Sequence, residues 1–168
     1  MIDIPNWCSN DLRIEGELKE VEKFKKENKG SIDFNDYIPY PKEFEKKVIS
    51  KQATIRGVVD SKDGYNSGGY EWCIKEWGTK WNCSDCKIDK ISSWKYKDKI
   101  VNAEIAYHFD TAWSPPIPVI IAMSKKYPKL KLDLRYFECG AGYNGILIVE
   151  KGKPSMNEEG KYYGERGG

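Results

Sequence analysis

The segment Trp77-Gly78-Thr79-Lys80-Trp81 sets two indoles around a glycine, a hydroxyl and an ammonium. A nucleotide asks for that combination: flat rings for its base and donors for its phosphate. Stacking a base on an aromatic ring is worth on the order of 1–3 kcal/mol, and Lys80 offers a point charge to a phosphate oxygen. The competing reading is that Trp77 and Trp81 anchor the core and Lys80 is solvated, in keeping with the burial of most tryptophans. A second segment, Asp110-Thr111-Ala112-Trp113-Ser114, falls where a strand end meets a helix start. Backbone N–H groups and the positive end of a helix dipole converge on an anion at such a place, and Thr111 and Ser114 add hydroxyls. The simpler reading makes Ser114 the helix N-cap and Trp113 a staple to the sheet. The two readings are compatible, and Lys80 would join this helix start if the intervening chain folds back over the sheet.

Weaker candidates surround these. Asn6, Trp7 and Asn10 lead into the first strand, where an asparagine amide can read a base edge or hold turn backbone. Tyr143 and Asn144 lie in the glycine-rich stretch Gly140 to Gly145, which suits close approach to a ligand and a tight hairpin equally. Cys83 and Cys86 form half of a zinc-ribbon pattern; without a second C-x-x-C, and with Cys8, Cys73, Cys139 and His108 scattered, no metal site is expected. A redox-active C-x-x-C would want a helix start at Cys83, which the pattern does not predict. His108, the single histidine, can be drawn as an acid–base pair with Asp110, since residues two apart on a strand share a face. No nucleophile elbow, phosphate-binding loop or metal-binding helix motif accompanies it. A binding protein without a cofactor is therefore expected ahead of an enzyme.

The elements that must position these residues follow from periodicity. Leu12 and Ile14 alternate with polar neighbours between Cys8 and Gly16, as in a half-buried strand. Leu18, Val21 and Phe24 then recur at helical spacing until Asn28 and Gly30 stop the helix. Ile32 and Phe34 predict a second short strand ending at Pro39 and Pro41, and Lys42 to Ile49 one or two helical turns. Turn-forming pairs between Ser50 and Gly69 predict a surface loop. Tyr70, Cys73, Ile74 and Trp77 have the spacing of a two-turn helix, and Ile88 to Trp94 reads as a short strand, closed by a turn from Tyr96 to Lys99. Ala103, Ile105, Tyr107 and Phe109 share a strand face, which points His108 the other way. A helix follows from Ser114 to Pro128; Leu130 to Tyr136 and Ile146 to Val149 are the last strands.

This order predicts an α+β, ferredoxin-like fold: two β-α-β units around an antiparallel sheet, helices on one face, and an irregular insertion over about residues 41–94. Residues 1–150 are expected to form one domain, with 151–168 a flexible, charged tail. At 168 residues the chain suits a single core. Lys+Arg 28 against Asp+Glu 26 leaves a formal charge of +2, which argues against a nucleic-acid polymer as partner but not against a small anion. The start Met-Ile-Asp-Ile-Pro has neither a basic region nor an apolar run, so no export signal is expected. Five cysteines, an odd number, point to reduced thiols in a cytoplasm rather than to a disulfide framework, and no apolar stretch is long enough for a membrane.

Four segments together carry a family resemblance: Pro5-Asn6-Trp7-Cys8-Ser9-Asn10, Trp77-Gly78-Thr79-Lys80-Trp81-Asn82, Asp110-Thr111-Ala112-Trp113-Ser114-Pro115-Pro116, and the turn from Tyr136 to Gly145. The chain, from Pro5 to Val149, resembles small phage- and plasmid-borne proteins with a YubB-type ferredoxin-like domain. It departs from that pattern at Cys83-x-x-Cys86. The resemblance implies a topology, with no iron–sulfur cluster, and a habitat in the cytoplasm of a bacterial host. From that habitat the expected function is non-enzymatic: sequestration of a small nucleotide-type signal of host immunity. The alternatives are a protein–protein module acting on a host factor, and an enzyme degrading such a signal through His108 and Asp110. Homo-oligomers are compatible with each.

Overall fold

Strict alternation builds β1 (Trp7–Glu17), in which Cys8, Asn10, Leu12 and Ile14 are buried while Trp7, Asp11, Arg13 and Glu15 are exposed. The structure is a computed structural model that describes residues 6–45, 48–49, 61–62, 64–97 and 99–162. β5 (Lys99–Ala112) pairs with β1 on one side, burying Ala103, Ile105, Tyr107 and Phe109; β6 (Lys131–Glu138) pairs on the other, burying Leu132, Leu134 and Tyr136. With β4 (Ser84–Tyr96), β7 (Tyr143–Glu150) and β8 (Lys153–Lys161), they make a six-stranded antiparallel sheet in the order β4-β5-β1-β6-β7-β8. A separate two-stranded ribbon joins β2 (Val48–Ile49) to β3 (Ser61–Lys62).

The helices cover the face that carries the buried side chains. α1 (Leu18–Glu27) contributes Val21 and Phe24, with the Phe24 ring edge-on to Tyr107 at 6.1 Å and to Tyr127 at 4.8 Å. Its last turn closes where both the backbone N–H and the side-chain amide of Asn28 donate to the Phe24 carbonyl. α3 (Ile117–Lys126) buries Val119, Ile120, Met123 and Ser124. Between them, α2 (Gly69–Trp72) runs into a π-helical turn, Cys73–Trp77, that Gly78 ends in the left-handed region at φ +78°. The halves β1-α1-β4 and β5-α3-β6 interleave as β4-β5-β1-β6, the ferredoxin-like plan expected from the sequence, and β7 and β8 extend it.

Several expected elements move. Ile32 and Phe34 are buried but not in a strand: the Asp33 carboxylate accepts from the Asn35 N–H, and Phe34–Asp36 is a short 3-10 turn. Their burial comes from plugging the end of the core, and the second strand of the first half is β4. The insertion is thus shorter than 41–94, since β4 begins at Ser84. Residues 42–45 form a 3-10 turn and 48–49, expected to continue the helix, are strand β2; 46–47 lie outside the described residues, as do 50–60 and Asp63 of the expected surface loop and Asp98 of the expected turn. Ser114 does not cap α3, which starts at Ile117 after Pro116. The charged segment from 151, expected as a tail, contains β8, paired along the length of β7.

Candidate functional site

One end of the sheet gathers the start of β1, the end of β5, the start of β7 and the loop before β4. Pairing sets Trp7 opposite Ala112, so Trp113 emerges beside it. Trp113 holds a left-handed backbone, φ +72°, uncommon for a bulky residue. Its N–H donates to the Asn6 carbonyl at 2.9 Å, and its own carbonyl accepts the Tyr143 hydroxyl. The Lys80 ammonium lies 4.4 Å from the Trp113 ring centre, 5.0 Å from Trp81 and 5.9 Å from Tyr70. Trp7 meets Trp81 edge-on at 6.2 Å, and Tyr70 meets Trp113 in the same manner. Trp7 and Trp113 remain 42% and 37% exposed, so ring surface is still open to a partner. The structure therefore brings together Trp7, Lys80, Trp81 and Trp113, with Tyr143 fastening Trp113 from β7 and Tyr70 completing the group.

Other residues from the same motifs are spent on the fold. Trp77 is only 4% exposed; its indole N–H donates to the Ile38 carbonyl at 2.8 Å, and Phe34 and Trp72 pack edge-on against it. The Thr79 hydroxyl donates to the Ala112 carbonyl, Thr111 to the Ser114 carbonyl, and Ser114 to the Gly78 carbonyl. Each hydroxyl has a single proton to give, so none keeps one for a ligand. Asn10 is fully buried, its amide N–H groups facing Cys8 O, Phe109 O and Thr111 Oγ1. It braces β1 and β5 and reads no base edge.

The anion site expected at the helix start is not built. Pro115, Pro116 and Pro118 have no N–H to offer, and the Ile117 N–H is turned to the Pro115 carbonyl at 2.9 Å. Gly78 packs closely against this start: a Cβ there would stand 2.9 Å from Pro118 Cδ. The glycine-rich turn is closed in another way. The buried Glu138 carboxylate accepts the Gly140 N–H at 2.6 Å and the Ala141 N–H as well, which removes those donors from any ligand.

Two expected partners face away. Asp110 alternates to the open face of the sheet, where it accepts the Ser9 hydroxyl at 3.1 Å. Asn144 lines a shallow groove on that same face with Arg135, Phe137 and Glu158. His108 does not pair with Asp110. Register sets it opposite Asp11, and its Nδ1 is 2.8 Å from that carboxylate.

Beside the cluster is a cavity of about 310 Å³, near the lower limit for small-molecule pockets. Tyr40, Phe44, Trp77 and Trp81 form its walls, and Asn35, Glu45 and Asn82 its polar rim. Burial pushes the Tyr65 phenol up and raises the Cys73 thiol to about 11, so these two lining groups are neutral near pH 7. The amides are fixed by Asp33, which accepts Asn82 Nδ2 at 2.7 Å and Asn35 Nδ2 at 2.9 Å. Only Trp77 and Trp81 were legible as site residues beforehand; Tyr40, Asn35 and Asn82 were not, being joined by contacts that no local spacing encodes.

Asp33 yields a pH dependence. Burial raises its carboxyl, but hydrogen bonds from Asn82 and Asn35 outweigh that and leave it below the usual value. A group depressed in the folded state stabilises above its unfolded pKa, near ~3.9 for aspartate, and that contribution fades as pH falls through the folded value. The wild type should therefore lose stability more steeply than Asp33→Asn on the acid side, below about pH 4. Urea unfolding of both proteins through that range checks this; parallel curves would remove Asp33 as an anchor of the rim.

Residues 77–161 match the family described as a ferredoxin-like domain in Api92-like protein, and the chain belongs to that family. The matched segment opens at Trp77 and closes at the last residue of β8, so it takes in α3 and the five strands β4 to β8. Among solved structures, the crystal structure of Api92 from Yersinia pseudotuberculosis is similar, with 10% identity, a TM-score of 0.49, and coverage of 96% of this chain and 99% of that one. No curated protein gives a significant match. Among the described residues, no helix is long and apolar enough to cross a membrane.

Proposed function

We propose that this chain is a binding protein that captures a small nucleotide-type ligand and holds it without turnover. The base lies in the aromatic cavity against Trp81, and a phosphate meets Lys80. The observation that carries this reading is the double position of Trp81, which walls the 310 Å³ cavity and lies 5.0 Å from the Lys80 ammonium. A ring face and a cation are thus presented side by side, and Glu45 at the rim is an acceptor for an exocyclic amine. The resemblance to YubB-type proteins of phages and plasmids supplies the context, in which this chain would remove a host's nucleotide signal from its receptor, a role that demands tight binding rather than catalysis.

Melting temperature measured against mono-, di- and cyclic nucleotides and ADP-ribose derivatives tests the reading. A ligand that binds only the folded state, present at a hundred times its Kd, adds about 2.7 kcal/mol, a readily measured shift. The expected result is a shift with the ligand recovered intact after denaturation; altered ligand would indicate an enzyme. Lys80→Ala should weaken a phosphate-bearing ligand about tenfold, in line with loss of one charge-assisted contact. Unchanged affinity would take Lys80 out of the site. The exposed indoles of Trp7 and Trp113 favour a second reading, a docking surface for a host protein, because interface hot spots are enriched in tryptophan. No shift across the panel, with a partner retained from host lysate through Trp113, would replace the first reading with the second.

A further inference from the structure

Cys83 and Cys86 take no part in the site above, yet the fold brings them together. On a regular strand, residues three apart point to opposite faces. Here the register between β4 and β5 slips: Ser84 faces Asp110 and Lys87 faces His108, so three steps on β4 match two on β5. The extra residue is a β-bulge, which re-aims side chains and bends the strand. Both cysteines consequently turn toward the core-facing side, where each is partly buried and touches Ile32: the Cys83 thiol donates to the Ile32 carbonyl at 3.0 Å, and the Ile32 N–H donates to the Cys86 sulfur at 3.3 Å.

The two sulfurs also differ in character. Hydrogen bonding with Cys83, whose one proton is shared between Cys86 and the Ile32 carbonyl, holds the Cys86 thiol below its usual range, with further help from the Ile32 N–H, Ser31 and the His108 charge against the cost of burial. Cys83 itself is pushed up, by its hydrogen bond to Cys86 and by burial. A more acidic sulfur beside a less acidic one divides an attacking thiol from a resolving thiol, as C-x-x-C pairs do at helix starts. A bulged strand performs the same service here.

We infer that Cys83 and Cys86 are a thiol–disulfide exchange site, which small-molecule disulfides convert to an intramolecular disulfide. The Cys86 thiolate attacks one sulfur of the disulfide, whose S–S bond breaks, and the first small thiolate leaves and takes a proton from water. Cys83 then gives its proton to solvent, and its sulfur attacks Cys86, expelling the second small thiolate. Two protein thiols are oxidised and one disulfide is reduced to two thiols, so the step is balanced. The Cys83 donation to the Ile32 carbonyl is lost with it, because no S–H remains, and the Cys86 sulfur becomes a weaker acceptor for the Ile32 N–H. Asn82, the residue before Cys83, donates to Asp33 and accepts the Phe34 N–H, so the change is made next to the cavity rim.

The test equilibrates the full chain in buffers of reduced and oxidised glutathione. Lys80 and Lys87 bracket both cysteines, so one tryptic peptide, 81–87, carries the pair. It should lose the mass of two hydrogens and regain it with dithiothreitol, while the exposed, solitary Cys139 takes up glutathione instead. Cys83→Ser keeps a hydroxyl donor and removes the resolving sulfur, so glutathione should remain on Cys86. Cys83→Ala removes the donor too, and alkylation of Cys86 at neutral pH should slow several-fold. Two free thiols in peptide 81–87 while Cys139 reacts would overturn the inference, as would a stable glutathione adduct on Cys86 in the wild type. The wild-type result stands alone if either variant fails to fold.

Discussion

Replacing Trp77 with alanine is expected to cost about 3–5 kcal/mol of folding stability, the usual range for truncating a buried large aromatic residue. The indole fills the angle between the π-helical turn and the Phe34 loop, with Phe34 at 5.7 Å, Tyr40 at 5.6 Å and Trp72 at 5.3 Å between ring centres. Alanine enlarges the cavity that Trp77 walls, removes its ring contacts and strips the Ile38 carbonyl of its donor. Urea unfolding measures the loss as a lower midpoint at unchanged slope. Trp77→Phe, which retains most of the packing, should lose clearly less. A cost below about 1 kcal/mol for the alanine variant would be outside the range for such truncations and would return Trp77 to the list of ligand platforms.

Glu138 carries the second large effect. Its side chain is almost wholly buried at the end of β6, where the carboxylate accepts the Gly140 and Ala141 N–H groups. Glu138→Ala leaves those donors without the carboxylate, and a hydrogen bond to a charged group is worth roughly 1.5–3 kcal/mol. Glutamine should rescue little, since its NH₂ group would face one of the N–H donors. Amide hydrogen exchange at residues 140 and 141 is the direct readout. Exchange as slow as in the wild type would mean that the turn holds its shape without the carboxylate. The same turn fastens Trp113 through Tyr143, so a ligand at the aromatic cluster should also bind more weakly.

How much of this was legible in the sequence depended on whether burial left a periodic trace. β1, β5 and β6 alternate cleanly because one face is core and the other water, and α1 shows Val21 and Phe24 at helical spacing. β4 reads short in sequence because two bulges, before Lys87 and before Lys90, break its alternation. β8 leaves no such trace for the opposite reason: every residue from Lys153 to Lys161 is exposed, so no apolar rhythm marks it. Ile32 and Phe34 imitated a strand because two buried residues flanking an exposed one look alike in a pleat and in a plugged loop.

The site divides along the same line. Residue types pointed to Trp7, Lys80, Trp81 and Trp113, since aromatic rings and a lysine suit a base and a phosphate, but their meeting is set by the pairing of Trp7 with Ala112 and by the loop before β4. Type could not say that Thr79, Thr111 and Ser114 would spend their protons on carbonyls, because hydrogen-bond partners are set by tertiary approach. Nor could it reveal the cavity, whose rim couples Asn35 to Asn82 through Asp33 across a long stretch of chain. The pairing of His108 with Asp11 in place of Asp110 follows from strand register, which alternation alone leaves undetermined.

An open sheet has two outer strands with unspent backbone donors and acceptors, and other chains can zip onto them. In this protein one such border is β8, where Pro154 removes a donor and Glu158 and Glu159 add like charge, with a slip in pairing at Ile148 and Val149. The opposite border, β4, is bent by its bulges and studded with Lys87, Lys90 and Lys95. A concentrated solution of folded chains therefore meets charge and kinks at both borders, and lateral growth into fibrous aggregates is held back by the outermost strands themselves.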